Sequence, residues 1–250
     1  MVQRDELLRY LHELLTVDAF SDYCPNGLQV EGRAEIRKLV CGVTACQALV
    51  DAAVAAGADA LLVHHGYFWK GEQPTITGLK RRRVQALLDA GINLLAYHLP
   101  LDAHPRLGNN AQLAQRLGLS VSGGFAGEPA IALSGSVDEP VSGEAFAARI
   151  AASLRRTPLH IPGQATKIRR IAWCSGGAQG YIEQAAVLGV DAYLTGEVSE
   201  QTVHIARETG LHFFAAGHHA TERYGVQALG EYLAERFSLQ VEFVDIDNPA

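Results

Sequence analysis

The sequence predicts an α/β protein made of two related α/β halves, with a metal site in the cleft between them. Three observations predict it: a long gapless internal repeat, a strand–helix–strand pattern inside each copy, and histidine and carboxylate clusters at the ends of the apolar strands. Ile36 to Gly66 aligns with Ile168 to Val198 at a constant offset of 132 residues. Self-similarity on that scale marks a duplicated supersecondary unit. Each copy opens on a basic-flanked apolar strand and passes through a loop into an alanine-rich helix ending at Gly57 or Gly189. Glycine is the expected stop there, because it enters the left-handed conformation without a Cβ clash. A second apolar strand, ADALLV or VDAYLT, completes a β-α-β unit in each copy.

A second correspondence pairs Gly91 with Gly210 at an offset of 119, so the first copy carries 13 more residues, within GEQPTITGLKRRR. The Gly- and Pro-rich GGFAGEP near residues 120–130 reads as the connection. The expected division is residues 1–125 and 126–250, with a crossing back that makes one half discontinuous left open. Ahead of the repeat, Leu7, Leu8, Leu11, Leu14 and Leu15 recur at helical spacing and predict an amphipathic N-terminal helix.

Composition narrows the function. The chain of 250 residues is 48% hydrophobic and 19% charged, as a folded domain with a real core should be. A net charge of −6 lacks the basic footprint of a nucleic-acid binder. Arg4, Asp5, Glu6, Arg9 and Glu13 break up any secretory apolar region, and no run approaches the roughly 18 apolar residues of a membrane span. Cys24, Cys41, Cys46 and Cys174 form no CxxC pair and read as small buried hydrophobes of a reducing cytoplasm.

In open α/β sheets ligands gather beyond the carboxyl ends of the strands. His64 and His65 close one strand, and His98 to Asp102 follow the next. Gly196-Glu197 and Gly217 to Glu222 occupy the matching ends in the second copy. Halves facing each other about a pseudo-twofold axis would bring these loops into one cleft. Side chains alternate along a strand, so His64 and His65 share a site only if the backbone bends at Gly66. Asp102, in the turn of HLPLDAH, lies among apolar neighbours and needs a cation or donors, although a helix-capping role also fits. His218 and Glu222 stand four apart, one helical turn, and can clasp one metal or form a surface pair. Three imidazoles and two carboxylates exceed one closed tetrahedral zinc site and suit two metals with open positions. Nitrogen and oxygen donors without thiolate suit Zn, Fe, Mn, Ni or Co. His98 fits a ligand, a partner to a ligand, or a proton shuttle; His104 ranks lower. Glu197, aligned with His65, is the other proton-carrying candidate or a helix-starting carboxylate. His12, His160 and His204 stand apart and read as ordinary histidines.

The motifs DYCPNGLQVEG, VHHGYFWKGE, HLPLDAHPRLGNNAQLAQRLGL, AWCSGGAQ, TGEVSEQT and GHHATERYG cover most of the chain. In them it resembles the dinuclear-metal family of GTP cyclohydrolase 1 type 2 homologues, also called NIF-three-like proteins. The resemblance implies metal ligation by His64, His65, Asp102, His218 and Glu222. It also implies two related α/β parts with metals between them, and toroidal hexamers of stacked trimers. It suggests GTP as substrate, opened to dihydroneopterin triphosphate and formate. No GxxxxGK[ST] loop is present to hold a triphosphate, and Lys80-Arg81-Arg82-Arg83 reads foremost as a solvated helix face. SGG at Ser175 to Gly177 and NGL at Asn26 to Leu28 are weaker anion-loop candidates. The leading expectation is therefore a cytoplasmic metal-dependent hydrolase of a nucleotide-like substrate, either a cyclohydrolase or a phosphoesterase. The competing one is a non-catalytic metal-binding or interaction protein of a stress or DNA-damage response.

Overall fold

The computed structural model describes residues 1–250. They form two compact units, Met1–Gly108 with Gly225–Asp247, and Asn109–Tyr224 with Asn248–Ala250. The first unit runs β1 (Val2–Gln3), α1 (Arg4–Leu14), β2 (Gly27–Val30), β3 (Glu35–Ile36), β4 (Lys38–Thr44), α2 (Gln47–Ala55), β5 (Ala60–His65), α3 (Gly78–Ala90), β6 (Asn93–Ala96) and α4 (Leu99–Ala103). The second continues with α5 (Asn109–Leu117), β7 (Leu119–Phe125), β8 (Ala132–Val141), α6 (Gly143–Leu154), β9 (Leu159–Ile161), β10 (Ile168–Trp173), α7 (Ile182–Val187), β11 (Ala192–Thr195), α8 (Glu200–Thr209) and β12 (His212–Ala215). The helix α9 (His218–Phe237) begins in the second unit and ends in the first, followed there by β13 (Gln240–Phe243).

The division falls at Gly108, not near residue 125. GGFAGEP is no linker: β7 and β8 pair antiparallel across it, and the amide of Ile131 donates to the carbonyl of Ala126 at 2.9 Å. Its glycine and proline serve a hairpin, which draws on the same turn residues as a connection does. The chain also crosses back, because residues 225–247 rejoin the first unit, where β13 lies parallel to β4.

In the first unit the sheet order is β13-β4-β5-β6-β2, with only β2 antiparallel to its neighbour. Parallel strands are covered on both faces and so read as unbroken apolar runs. Val40, Leu61, Val63 and Leu94 pack with Leu49, Val50 and Ala53 of α2 and with Val84 and Leu87 of α3. Leu39, Cys41, Leu62 and Leu95 point to the other face, against Leu7 and Leu11 of α1 and Val226, Leu229 and Leu233 of α9. The second unit's sheet is ordered β7-β8-β10-β11-β12-β9, with β10, β11 and β12 parallel. Trp173, Leu194 and Phe214 face Phe146, Ile150 and Leu154 of α6, while Ala172, Tyr193 and Phe213 face the α7 and α8 side. No helix is long and apolar enough to cross a membrane, and none of the four cysteines forms a disulfide.

The duplication survives in the polar contacts that frame each sheet. Asp59 Oδ2 accepts from the amides of Arg37 (2.8 Å) and Lys38 (3.0 Å), and Asp191 Oδ2 accepts from those of Arg169 (2.8 Å) and Arg170 (2.9 Å). Burial works against an ionised Asp59, but the Lys38 amide, the Arg33 guanidinium and the Arg37 amide hold its carboxyl below the usual range. Asn93 Oδ1 accepts from the Gly32 amide at 2.8 Å, and its amide nitrogen donates to the Arg33 carbonyl at 2.8 Å. His212 takes that place in the second copy: Nδ1 accepts from the Gly163 amide at 3.1 Å and Nε2 donates to the Ala165 carbonyl at 2.8 Å.

Candidate metal centre

In the first unit the candidate ligands lie where β5 and β6 end. Despite strand alternation, the rings of His64 and His65 are 4.5 Å apart, centre to centre. The strand ends before Gly66, whose added Cβ would stand 2.1 Å from Gln29 Oε1 and 2.7 Å from the Ala96 Cβ, and the chain bends one residue on, at Tyr67. Gln29 Oε1 in turn accepts from the Tyr67 amide, which fixes the exit from the strand. His64 is wholly buried, and its Nδ1 lies 3.0 Å from the Tyr97 carbonyl. A carbonyl only accepts, so Nδ1 carries the proton and Nε2 is the nitrogen with the lone pair. That Nε2 is 3.5 Å from Asp102 Oδ1, whose side chain is 9% exposed. Asp102 sits in the short helix α4, not in an open turn, and α4 starts directly after His98. His65 Nδ1 meets Thr44 Oγ1 at 3.2 Å on the neighbouring strand.

His98 is fixed more firmly than its sequence neighbourhood suggests. Its Nδ1 lies 2.7 Å from Asp22 Oδ1, and its amide donates to Asn26 Oδ1. Asp22 also accepts from the amides of Tyr23 and Leu99 and from Asn26 Nδ2. Burial opposes the ionised Asp22, yet the bond from His98 and these donors hold its carboxyl below the ordinary range. One ring nitrogen from each of His64, His65 and His98 lies within 4.8 Å of the others.

In the second unit three loops supply the site: the one after β10, the one after β11, and the start of α9. His218 Nε2 is 3.2 Å from Glu222 Oε2, one helical turn on, and the Glu222 side chain is 4% exposed. On the other side, His218 Nδ1 is 2.7 Å from Glu197 Oε1, whose second oxygen accepts from Gln179 Nε2 at 3.2 Å. Burial alone would keep this ring neutral, but Glu222 and Glu197 outweigh it and lift the His218 pKa to about 9. A pocket that draws a proton between two carboxylates has the electrostatics to draw a divalent cation. Gly176 makes room for it: its φ is +67°, and a Cβ there would stand 2.1 Å from Glu222 Oε1. Thr221 Oγ1 accepts from the Gly176 amide at 2.9 Å and ties the glycine loop to α9.

Other sequence candidates lie apart from these groups. Lys80 Nζ is engaged by Glu72 (2.9 Å) and the Gln73 carbonyl (2.8 Å), and Arg81 and Arg82 are solvated. His104 Nδ1 accepts from the Leu107 amide at 3.0 Å; burial and nearby Arg106 keep its pKa low, which suits a turn-holding role. His219 and Arg223 are buried, with Arg223 donating to the Leu154 carbonyl. His12 and His204 are exposed, whereas His160 is half-buried against His212. Asp22, Thr44 and Gln179 escaped the sequence reading. Asp22 stood inside DYCPNGLQVEG, whose only legible signal was its wealth of turn-forming polar residues.

A family profile described as Duf34/NIF3 (NGG1p interacting factor 3) matches residues 2–249. A Pseudomonas aeruginosa protein named GTP cyclohydrolase 1 type 2 homolog is 63% identical over 232 residues, covering 92% of this chain and 91% of that protein. One of the same name from Escherichia coli K12 is 56% identical over 250 residues, covering 100% of both. A solved structure described as "Structural genomics, protein ybgI, unknown function" superposes with a TM-score of 0.97 at 55% identity, covering 100% of each chain.

Proposed function

This chain belongs to the Duf34/NIF3 family, and we propose that it binds two divalent metal ions and hydrolyses a small nucleotide-like substrate. The proposed ligands are His64, His65 and Asp102 from the first unit, and His218 and Glu222 from the second. One observation carries the reading: each unit by itself sets a buried carboxylate against an imidazole, at 3.5 Å for Asp102–His64 and 3.2 Å for Glu222–His218. Buried carboxylates need a compensating charge, and imidazoles whose far nitrogen is tied down are preorganised for metal. The donor set, all nitrogen and oxygen, fits Zn, Fe, Mn, Ni or Co. When bound, such ions lower the pKa of a coordinated water toward neutrality and polarise the bond under attack. The chain's own groups do the rest. Glu197 holds His218 through Nδ1 and is the carboxylate placed to carry a proton; His98 is the other group beside the ligands.

Relatives carry the name GTP cyclohydrolase 1 type 2 homolog, which makes GTP the first substrate to try. We place the protein in the cytoplasm as a homo-oligomer, hexameric by family likeness. Metal-loaded protein is expected to release formate from GTP, with turnover abolished in Asp102→Ala. Phosphate release from simple esters without formate would move the assignment to a phosphoesterase. The word "interacting" in the family's description favours one other reading, a metal-binding protein that serves a partner. Absence of turnover on both substrate types with two metals bound would select it.

A further inference from the structure

We propose that Tyr23 and Trp69 form an aromatic wall in the first unit on which the flat ring of a nucleobase stacks. This rests on the reading of a nucleotide-like substrate above and names the residues that hold its base.

Aromatic rings of this size usually join a core. Tyr67 and Phe68 do so, on the α2 and α3 side of the sheet. Trp69, the next residue, is half-buried and belongs to neither apolar core of the unit, and Tyr23 is 59% exposed. Both flank His98 instead: Trp69 lies edge-on at 5.0 Å and 85°, and Tyr23 at 6.4 Å and 63°. Trp69 is also 5.8 Å from the His65 ring. A backbone bond joins the two segments, from the Lys70 amide to the Tyr23 carbonyl at 2.6 Å.

The chain under each ring is fixed. The Tyr23 amide donates to Asp22 Oδ1 at 2.6 Å, and the Trp69 amide donates to Glu72 Oε2 at 3.1 Å. Glu72 is held in turn by Lys80 Nζ at 2.9 Å. Trp69 Nε1 donates to the Gly66 carbonyl at 3.2 Å. That bond sets the plane of the indole and occupies its only polar atom, so the ring offers a ligand π surface alone. Phe68, where the chain passes from the core to Trp69, has a φ of +65°. A bulky residue in the left-handed region is costly, and such strain gathers where a segment's geometry serves a function. Held aromatic faces grip any base through its own π face, and here they stand beside the imidazoles of the candidate centre.

The test is a titration of the full-length protein with GMP, and with ribose 5-phosphate as the same tail without a base, followed by tryptophan fluorescence and calorimetry. The chain has two tryptophans, and Trp173 is wholly buried in the second unit's core, so quenching by a dissolved base reports Trp69. GMP is expected to quench, and ribose 5-phosphate to bind about tenfold or more weakly without quenching. Trp69→Ala and Tyr23→Ala should each weaken GMP roughly 10- to 100-fold, while Tyr23→Phe, which keeps the ring, stays within about threefold of the parent. Metal content and circular dichroism should match the parent throughout. Equal binding of the two ligands by the parent, GMP bound without quenching, or alanine variants that bind GMP as the parent does overturns the wall, and the hydrolase reading then rests on turnover alone. No GMP binding overturns the wall even where GTP is turned over. Quenching by GMP in a protein that turns over neither GTP nor simple phosphate esters supports the wall and sinks the hydrolase reading.

Discussion

Alanine at Glu222 is expected to cut the metal content of anaerobically purified protein from about two ions per chain to about one. Glu222 is 3% exposed, and its carboxylate stands 3.2 Å from His218 Nε2. Its environment is arranged around that carboxylate: Gly176 takes a positive φ and lacks the Cβ that would strike Oε1. Removing the group takes from His218 the carboxylate on its Nε2 side, while Glu197 engages Nδ1 on the far side. Glu222→Gln keeps the shape but loses the charge, so it should lose metal nearly as completely. That outcome separates coordination from packing. Elemental analysis of the three proteins decides it, and an unchanged two-ion content in Glu222→Ala would remove Glu222 from the ligand set.

Substituting alanine for Gly163 should be among the most damaging single-methyl changes in the second unit. The new Cβ would stand 2.3 Å from the His212 amide nitrogen, 2.6 Å from the Gly210 carbonyl oxygen and 2.6 Å from the Leu211 carbonyl carbon. All three are backbone atoms flanking β12, so no rotamer change relieves the clash. Displacing the segment also breaks the bonds from the Gly163 amide to His212 and from the Gln164 amide to the Gly210 carbonyl. The combined effect is expected at about 3 kcal/mol or more, in the upper range for point substitutions. At about 2–4 °C per kcal/mol for a chain of this size, the melting temperature should drop by roughly 6–12 °C. Thermal unfolding followed by circular dichroism measures it. A shift within about 1 °C would mean that the backbone there yields more easily than these distances imply.

The repeat was the most legible part of the chain. An unbroken 31-residue match preserves strand, helix and strand together, and β4-α2-β5 and β10-α7-β11 are the result. The division between units was misplaced because glycine and proline mark hairpins as well as linkers, and GGFAGEP forms a hairpin. The return of residues 225–247 was hidden for a different reason. A helix of 20 residues reads as one element whichever core its later turns join, and Val226, Leu229 and Leu233 join the first unit's. At the site, histidines next to glycine at strand ends were visible, since strand-end chemistry is a matter of position. Asp22 was not, because its role depends on contact with His98, 76 residues away. Sequence spacing carries no trace of a contact at that range.

The substitution of His212 for Asn93 between the copies has a consequence for how the halves have diverged. An amide side chain offers an acceptor and a donor at any pH. An imidazole offers both only while neutral and in the Nε2–H tautomer. His212 must therefore keep Nδ1 bare to receive the Gly163 amide at 3.1 Å and His160 Nε2 at 3.0 Å. The other tautomer would set a donor against two donors, a restriction that Asn93 does not carry. One ancestral clasp, copied and then altered at a single residue, has thus kept its two bonds in both halves while only one of them came to depend on where a ring carries its hydrogen.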